Sequence, residues 1–187
     1  MRIVAGKWRS RLLPVANVEG LRPTSARVRE TLFNWIAPVV EGARCLDLFA
    51  GTGALGFEAL SRGAESVDLV ENAPTAASRL RENIRLLTAT GIAVHQVDGY
   101  DFLQKRYAAG PYDIVFLDPP FADGRYEELC RLLDESGLLA PGALVYVEQE
   151  RRRQLPDLPA GWRVRKERTA GNVRYSLIEA VTEGSSQ

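Results

Sequence analysis

The sequence predicts an α/β domain in which helices cover both faces of a mostly parallel sheet and an antiparallel hairpin closes one edge. Three observations carry this expectation. From Arg44 onward, short and nearly continuous apolar runs alternate with helical stretches, the pattern of strands buried on both sides. A glycine-rich turn, LDLFAGTGALG from Leu46 to Gly56, leads from the first of these strands directly into a helix. The last two strand-like runs are joined by a turn too tight for a helical crossover, so they must pair antiparallel.

In chain order, IVAGKWRSRLLPV (3–15) places apolar patches on either side of a Gly-Lys-Trp-Arg turn and reads as a small hairpin. After a polar stretch ending in LRPTS, Ser25 can cap a helix on which Val28, Leu32, Trp35, Ile36 and Val39 form one apolar stripe, with Pro38 marking its end. Strands are expected at CLDLF (45–49), SVDLVE (66–71), IAVHQV (92–97), YDIVFLD (112–118) and ALVYVE (143–148). Helices are expected near 54–62, 74–90, 99–108 and 125–136, the second opening on Pro74 and closing before Gly91. WRVRKERT (162–169) and NVRYSLIEAV (172–181), joined at Ala170 and Gly171, supply the final hairpin. The domain expectation is a basic hairpin extension over 1–20, a main domain over 21–182 and a flexible tail over 183–187.

With 187 residues, 45% hydrophobic and 26% charged, the chain has the composition of one globular domain and leaves no room for a large second one. No run reaches the roughly 18 apolar residues of a membrane span, and the start lacks the apolar stretch of a signal peptide. A soluble, cytoplasmic protein with no membrane partner is expected, and a monomer. Cys45 and Cys130 stand far apart, and His95 is the one histidine, which argues against a disulfide framework and a Cys/His metal site. His95 lies inside a strand pattern and reads as a packed or edge residue rather than a base.

Net charge is zero but segregated: residues 1–30 carry +5, 151–174 carry +6 and 31–150 carry −9. Two basic stretches of this kind attract phosphate if the fold brings them together. The nucleic-acid contacts expected are Arg2, Lys7, Trp8, Arg9, Arg11, Arg22 and Arg27.

The chemistry concentrates at the strand ends. Gly51, Gly53 and Gly56 stand in GxGxxG spacing, where a backbone without side chains can approach a ligand closely and a helix N-terminus offers free N–H groups. Glu71, 20 residues after Gly51, ends the second strand, where a carboxylate can accept from both hydroxyls of a ribose. Asp47 precedes the loop at the end of the first strand. An anion there suits a cationic cofactor better than a pyrophosphate, which favours S-adenosylmethionine over a nicotinamide dinucleotide. Asp98 ends the third strand and can meet an adenine amine or cap the following helix. The expected cofactor contacts are Asp47, Phe49, Ala50, Gly51, Thr52, Gly53, Glu71, Asn72, Asp98 and Gly99.

At the end of the fourth strand stands Asp118-Pro119-Pro120-Phe121. Two prolines cannot continue a ladder and hold the chain extended, so Asp118 and nearby carbonyls are aimed into the crevice above the strands. An exocyclic base amine has its lone pair delocalised into the ring and needs such acceptors. Phe121 can stack on the base. These four residues are the catalytic candidates.

LDLFAGTGALG, Glu71, Asp98 and DPPF, in that order, resemble the class I S-adenosylmethionine-dependent methyltransferases that act on exocyclic amines. The opening RIVAGKWRSRLLPV together with LRPTSARVRETLFNWI closely resembles the bacterial small-subunit (16S) ribosomal RNA guanine-N2 methyltransferase family, RsmD, over about Arg2 to Val181. That resemblance implies a Rossmann-like fold, a seven-stranded sheet with an antiparallel last strand, and small-subunit ribosomal RNA or the assembled subunit as partner. Alternatives are a DNA adenine-N6 or other amine-directed methyltransferase, for which 187 residues leave little room for target recognition. A nicotinamide-dependent oxidoreductase is disfavoured by Asp47, and an idle RNA-binding factor by the intact acidic residues.

Overall fold

The computed structural model describes residues 1–17, 24–105, 110–120 and 125–181. Its elements are α1 (Ala26–Ile36), β1 (Arg44–Asp47), α2 (Ala54–Ser61), β2 (Ser66–Val70), α3 (Pro74–Leu87), β3 (Ile92–His95), α4 (Gly99–Lys105), β4 (Tyr112–Leu117), α5 (Tyr126–Glu135), β5 (Leu139–Glu150), β6 (Arg163–Ala170) and β7 (Val173–Ala180). One seven-stranded sheet has the order β3-β2-β1-β4-β5-β7-β6, with β7 antiparallel to both its neighbours and the other six strands running together. Chain order reverses between β1 and β4. Their carboxyl ends therefore open the crevice in which open α/β sheets take ligands.

Two hydrophobic clusters cover the faces. One joins Phe33 of α1, Phe57 of α2 and Leu80 of α3 to Phe116, Tyr146 and Tyr175 of the sheet. The other joins Phe102 of α4 and Leu129 and Leu133 of α5 to Val115, Leu117 and Val145. Adjacent residues of a strand point to opposite faces, which is why β4 and β5 read as unbroken apolar runs.

Ser25 caps α1 as expected, accepting from the Val28 N–H at 3.3 Å. The stripe differs in detail: the helix stops at Ile36, so Val39 lies past its end and is exposed, while Phe33 is buried. The end of α3 also comes earlier than the expected residue 90. Thr88 turns left-handed at φ 49° and its N–H returns to the carbonyls of Ile84 and Arg85. Gly91 instead serves the turn into β3, where a Cβ would lie 2.6 Å from the Glu65 carbonyl oxygen. β5 begins at Leu139 rather than 143, because Pro141 and Gly142 sit in an irregularity of the β4–β5 ladder and do not terminate it. The final turn is Gly171–Asn172, one residue later than expected, with Ala170 opposite Val173. The end of the helix expected over 99–108, the 20/21 domain boundary, Arg22, Phe121 and the tail over 183–187 lie outside the described residues.

His95 sits 2.6 Å from Asp68, which also accepts from the Tyr112 hydroxyl, and its ring meets Phe102, so it is a packed residue of the sheet.

Residues 1–17 form a hairpin with Arg2 bridged to Leu12, and Ile3 and Leu13 enter the same core cluster as α1 and α2. What fastens it is a buried charge. Glu58 of α2 is fully buried and accepts from the Val4 and Ala5 N–H groups at 2.8 and 3.0 Å, while Arg29 and Arg62 pair with its two oxygens. Arg29 donates further to the carbonyls of Arg2 and Thr24, linking hairpin to helix. It therefore adds nothing to a basic surface. At the tip, Gly6 lies so close to the end of α2 that a Cβ would fall 1.9 Å from the Ser61 carbonyl oxygen, which leaves no residue but glycine.

Candidate functional site

The loop after β1 is shaped by its glycines. Gly51 and Gly53 have φ of 53° and 76°, a region closed to most side chains, and Gly53 opens α2 with its N–H groups directed to the crevice end. Gly56 lets the helix lie on the sheet, since a Cβ there would meet Leu69 at 2.3 Å. Ala50 donates to the Val70 carbonyl at 2.8 Å, tying the loop to the neighbouring strand, and Thr52 is buried.

Glu71 completes the loop. Its two oxygens accept one backbone N–H each, from Gly51 at 2.8 Å and from Ala73 at 2.7 Å, so it clamps the loop to the start of α3. Each carboxylate oxygen keeps a further lone pair for a ligand donor. Neighbouring Asn72 is exposed. Asp98 caps α4, accepting from Tyr100 at 2.9 Å and Asp101 at 3.4 Å through Oδ1. Gly99 packs so closely on Phe49 that a Cβ would stand 2.8 Å from its ring, which brings the ends of β1 and β3 together. All ten expected cofactor contacts thus lie on three consecutive strand ends of one sheet edge.

Deeper in the crevice the acidic groups converge. Asp47 is buried and accepts from the Gly56 N–H at 3.0 Å; burial above all, with the charge of Glu71, pushes its pKa up to about 7. Asp118, just past β4, accepts from the Thr24 hydroxyl at 3.4 Å. Burial and the neighbouring carboxylates of Glu148 and Asp47 push its pKa well above the usual carboxylate range. Pro119 is buried and Pro120 exposed, so the chain leaves the sheet directly after the aspartate. Tyr126, at the start of α5, has a buried hydroxyl that makes no hydrogen bond among the described residues and lies in the field of Asp118 and Glu148.

Glu148 is the residue that motif reading misses. Its carboxylate is buried on β5, two residues before the strand ends at Glu150, and accepts from the Tyr146 hydroxyl at 2.7 Å. No local signal marks it: the run VEQE offers Glu148 and Glu150 alike, and only the ladder register sets Glu148 beside Asp118. Among the described residues no acidic or histidine cluster is arranged to hold a metal ion. Uncompensated carboxylates at a glycine loop suit an organic cation such as a sulfonium with its ammonium, so the residues present fit S-adenosylmethionine.

The basic candidates do not gather at this crevice. Lys7 lies over the half-buried Trp8 at 4.1 Å, and the hairpin tip is held at Ser61, the far end of α2, about 12 Å of helix from the glycine loop. Arg9 and Arg11 are exposed on the same hairpin, and Arg2 donates to the Ser10 carbonyl. Arg27 is exposed three residues from Thr24 and is the described basic candidate nearest Asp118 in sequence. β6 forms an exposed basic edge with Arg163, Arg165, Lys166 and Arg168, and Lys166 reaches over Trp35 of α1 at 6.0 Å.

Sheet order, glycine loop and buried acidic crevice define a class I methyltransferase that uses S-adenosylmethionine. The chain belongs to the family described as Conserved hypothetical protein 95, whose model matches residues 1–179. It is 47% identical over 186 residues to ribosomal RNA small subunit methyltransferase D of Escherichia coli, spanning 100% of this chain and 93% of that one. The Haemophilus influenzae protein of the same name is 45% identical, spanning 96% of this chain and 93% of its own. The solved structure of an Escherichia coli methyltransferase superposes with a TM-score of 0.89 at 44% identity, covering 98% of this chain and 99% of that chain. Among the described residues no helix is long and apolar enough to cross a membrane.

Ionisation of Asp47 sets an expected pH dependence. Its raised pKa means that the native state holds a proton the unfolded chain has lost, so this group lowers ligand-free stability as pH rises toward 7. A cation favours the ionised form. S-adenosylmethionine affinity should therefore rise as pH passes through about 7 and level off above it, with proton release at neutral pH. Calorimetry in buffers of different ionisation enthalpy measures that release, and Asp47→Asn should abolish it.

Proposed function

We propose that this enzyme transfers a methyl group from S-adenosylmethionine to the exocyclic N2 amine of a guanine in small-subunit ribosomal RNA. The observation that carries the reading is the pair of carboxylates, half-buried Asp118 and buried Glu148, side by side on β4 and β5 beside a cofactor loop. The relatives named as small-subunit ribosomal RNA methyltransferases support the substrate.

The bound cofactor supplies an electrophilic methyl group on sulfur. Gly51, Gly53 and Glu71 would hold it, Glu71 accepting from the ribose hydroxyls and Asp98 from the adenine amine, and Asp47 would supply negative charge for its cationic end. Asp118 and a proline carbonyl accept the two amine hydrogens, which localises the nitrogen lone pair and aims it at the methyl group. Phe121, as the sequence suggests, stacks on the base. Methylation makes the nitrogen strongly acidic, so no basic group of high pKa is needed to take its proton. Burial nonetheless equips Asp118 to hold one. The N2 amine of a stacked, paired guanine is shielded by its neighbours, so the target base must leave the stack or already be unpaired.

Because Glu71 both clamps the loop and faces the ribose, Glu71→Ala should weaken cofactor binding by about 1 to 3 kcal/mol. Unchanged affinity in calorimetry would remove it from the site. RNA is proposed to cross the α1 and hairpin face and the β6 edge, and affinity should fall steeply with salt. Substituting Lys7, Arg9 and Arg11 by Ala tests this better than deleting residues 1–20, which would strip Ile3 and Leu13 from the core. A flatter salt slope with unchanged cofactor affinity is expected. The substrate is tested by offering methyl-labelled S-adenosylmethionine with undermethylated small subunits, naked ribosomal RNA or DNA. Label should enter the ribosomal samples, and label in DNA alone would overturn the proposal.

A further inference from the structure

Glu148 is a carboxylate for which the fold supplies a single hydrogen-bond donor among the described residues. It is 6% exposed and stands one residue past Val147, which pairs with Leu117 in the parallel β4–β5 ladder. Asp118 stands one residue past Leu117, so the two carboxylates lie side by side, Asp118 just past the end of β4 and Glu148 two residues before the end of β5. Both are two residues beyond the Phe116–Tyr146 pair and share its face of the sheet. The Tyr146 hydroxyl holds Oε2 of Glu148, and Oε1 has no hydrogen-bond partner among the described residues. Neither carboxylate forms an ion pair among the described residues.

Two adjacent carboxylates, one buried and one half-buried, with no cation paired to them among the described residues are costly to maintain unless ligand donors meet them. The matching ligand offers two neighbouring N–H groups in one plane. Guanine does so, with N1–H beside the N2 amine. Adenine places the bare N1 beside its N6 amine, and cytosine the bare N3 beside its N4 amine; either lone pair would face a carboxylate. We infer that Glu148 accepts the guanine N1–H through Oε1 while Asp118 accepts from the N2 amine, which makes Glu148 the residue that selects guanine over other amine-bearing bases. This rests on the guanine-N2 reading above. It adds the source of base choice, because Asp118 alone would serve any exocyclic amine. Tyr146 is then a positioning residue whose hydroxyl fixes the rotamer of Glu148.

The test replaces the methylated guanosine by 2,6-diaminopurine riboside, which keeps the N2 amine but exchanges N1–H for a bare N1. Single-turnover transfer is measured on both RNAs, naked and reconstituted into small subunits, with the unmodified enzyme, Glu148→Gln and Tyr146→Phe. The unmodified enzyme should prefer guanosine by more than about 100-fold, since a misfitted edge leaves buried polar groups unpaired. A glutamine can turn its amide N–H toward the bare N1, so Glu148→Gln should shrink that preference at least tenfold, losing rate on guanosine and gaining it on diaminopurine. Tyr146→Phe should move the ratio the same way by a smaller factor. Equal loss on both RNAs, the mark of a merely structural role, or an unchanged ratio would overturn the assignment to Glu148 while leaving the guanine-N2 reading in place. No transfer by the unmodified enzyme to the guanosine RNA would overturn that reading itself.

Discussion

Asp118→Asn should lower single-turnover methyl transfer by about 100-fold or more, with cofactor affinity nearly unchanged, and Asp118→Ala should lower it further. The ranking follows from what each side chain offers the amine. Aspartate offers two acceptor oxygens and a negative charge that matches the positive charge developing on nitrogen; asparagine keeps one acceptor without the charge, and alanine keeps neither. Cofactor binding is separable because the contacts proposed for it lie on the ends of β1, β2 and β3, whereas Asp118 follows β4. Rapid-quench transfer from a preformed complex isolates the chemical step from product release. A rate for Asp118→Ala equal to that of the unmodified enzyme would rule out the role given to the aspartate.

Glu58→Ala should cost about 3 to 5 kcal/mol of folding stability. The loss is large because four donors depend on one buried carboxylate: the Val4 and Ala5 N–H groups and the guanidiniums of Arg29 and Arg62. Arg29 is itself buried, and burial already lowers its pKa, so removing its counter-ion strands a positive charge in the interior. Glu58→Gln, which keeps acceptor atoms but not the charge, should fall between. Urea unfolding followed by circular dichroism measures both, and a midpoint shift equivalent to less than about 1 kcal/mol for the alanine variant would contradict the account. The same contacts hold the N-terminus of α1, from which Thr24 reaches Asp118. A partial loss of methylation should therefore accompany the loss of stability.

Strand ends were legible in the sequence because the chemistry there needs particular residues at particular spacings. Glycine at 51 and 53 answers to positive φ, glutamate at 71 to the end of β2, and aspartate followed by two prolines to the end of β4. Element ends were less legible where a residue's usual signal was overridden. Thr88 takes the left-handed cap in place of Gly91, and Pro141-Gly142 sits inside a strand as an irregularity. Glu148 and Glu58 were invisible to local reasoning. One gains its meaning only from the register that sets it beside Asp118, the other from a hairpin 53 residues away in sequence. Charge counts misled for a related reason: Arg29 counted as surface charge until its buried partner was known, and the hairpin tip proved to be fixed at the far end of α2.

The central claim is that the crevice at the ends of β1, β4 and β5 methylates the N2 amine of guanine. Its most direct test is the identity of the product. Small-subunit ribosomal RNA from cells lacking this enzyme is incubated with the purified protein and isotopically labelled S-adenosylmethionine, digested to nucleosides and separated by chromatography with mass detection. The account predicts label in N2-methylguanosine alone, and label in N6-methyladenosine, or in a methylated ring nitrogen or carbon, would contradict it.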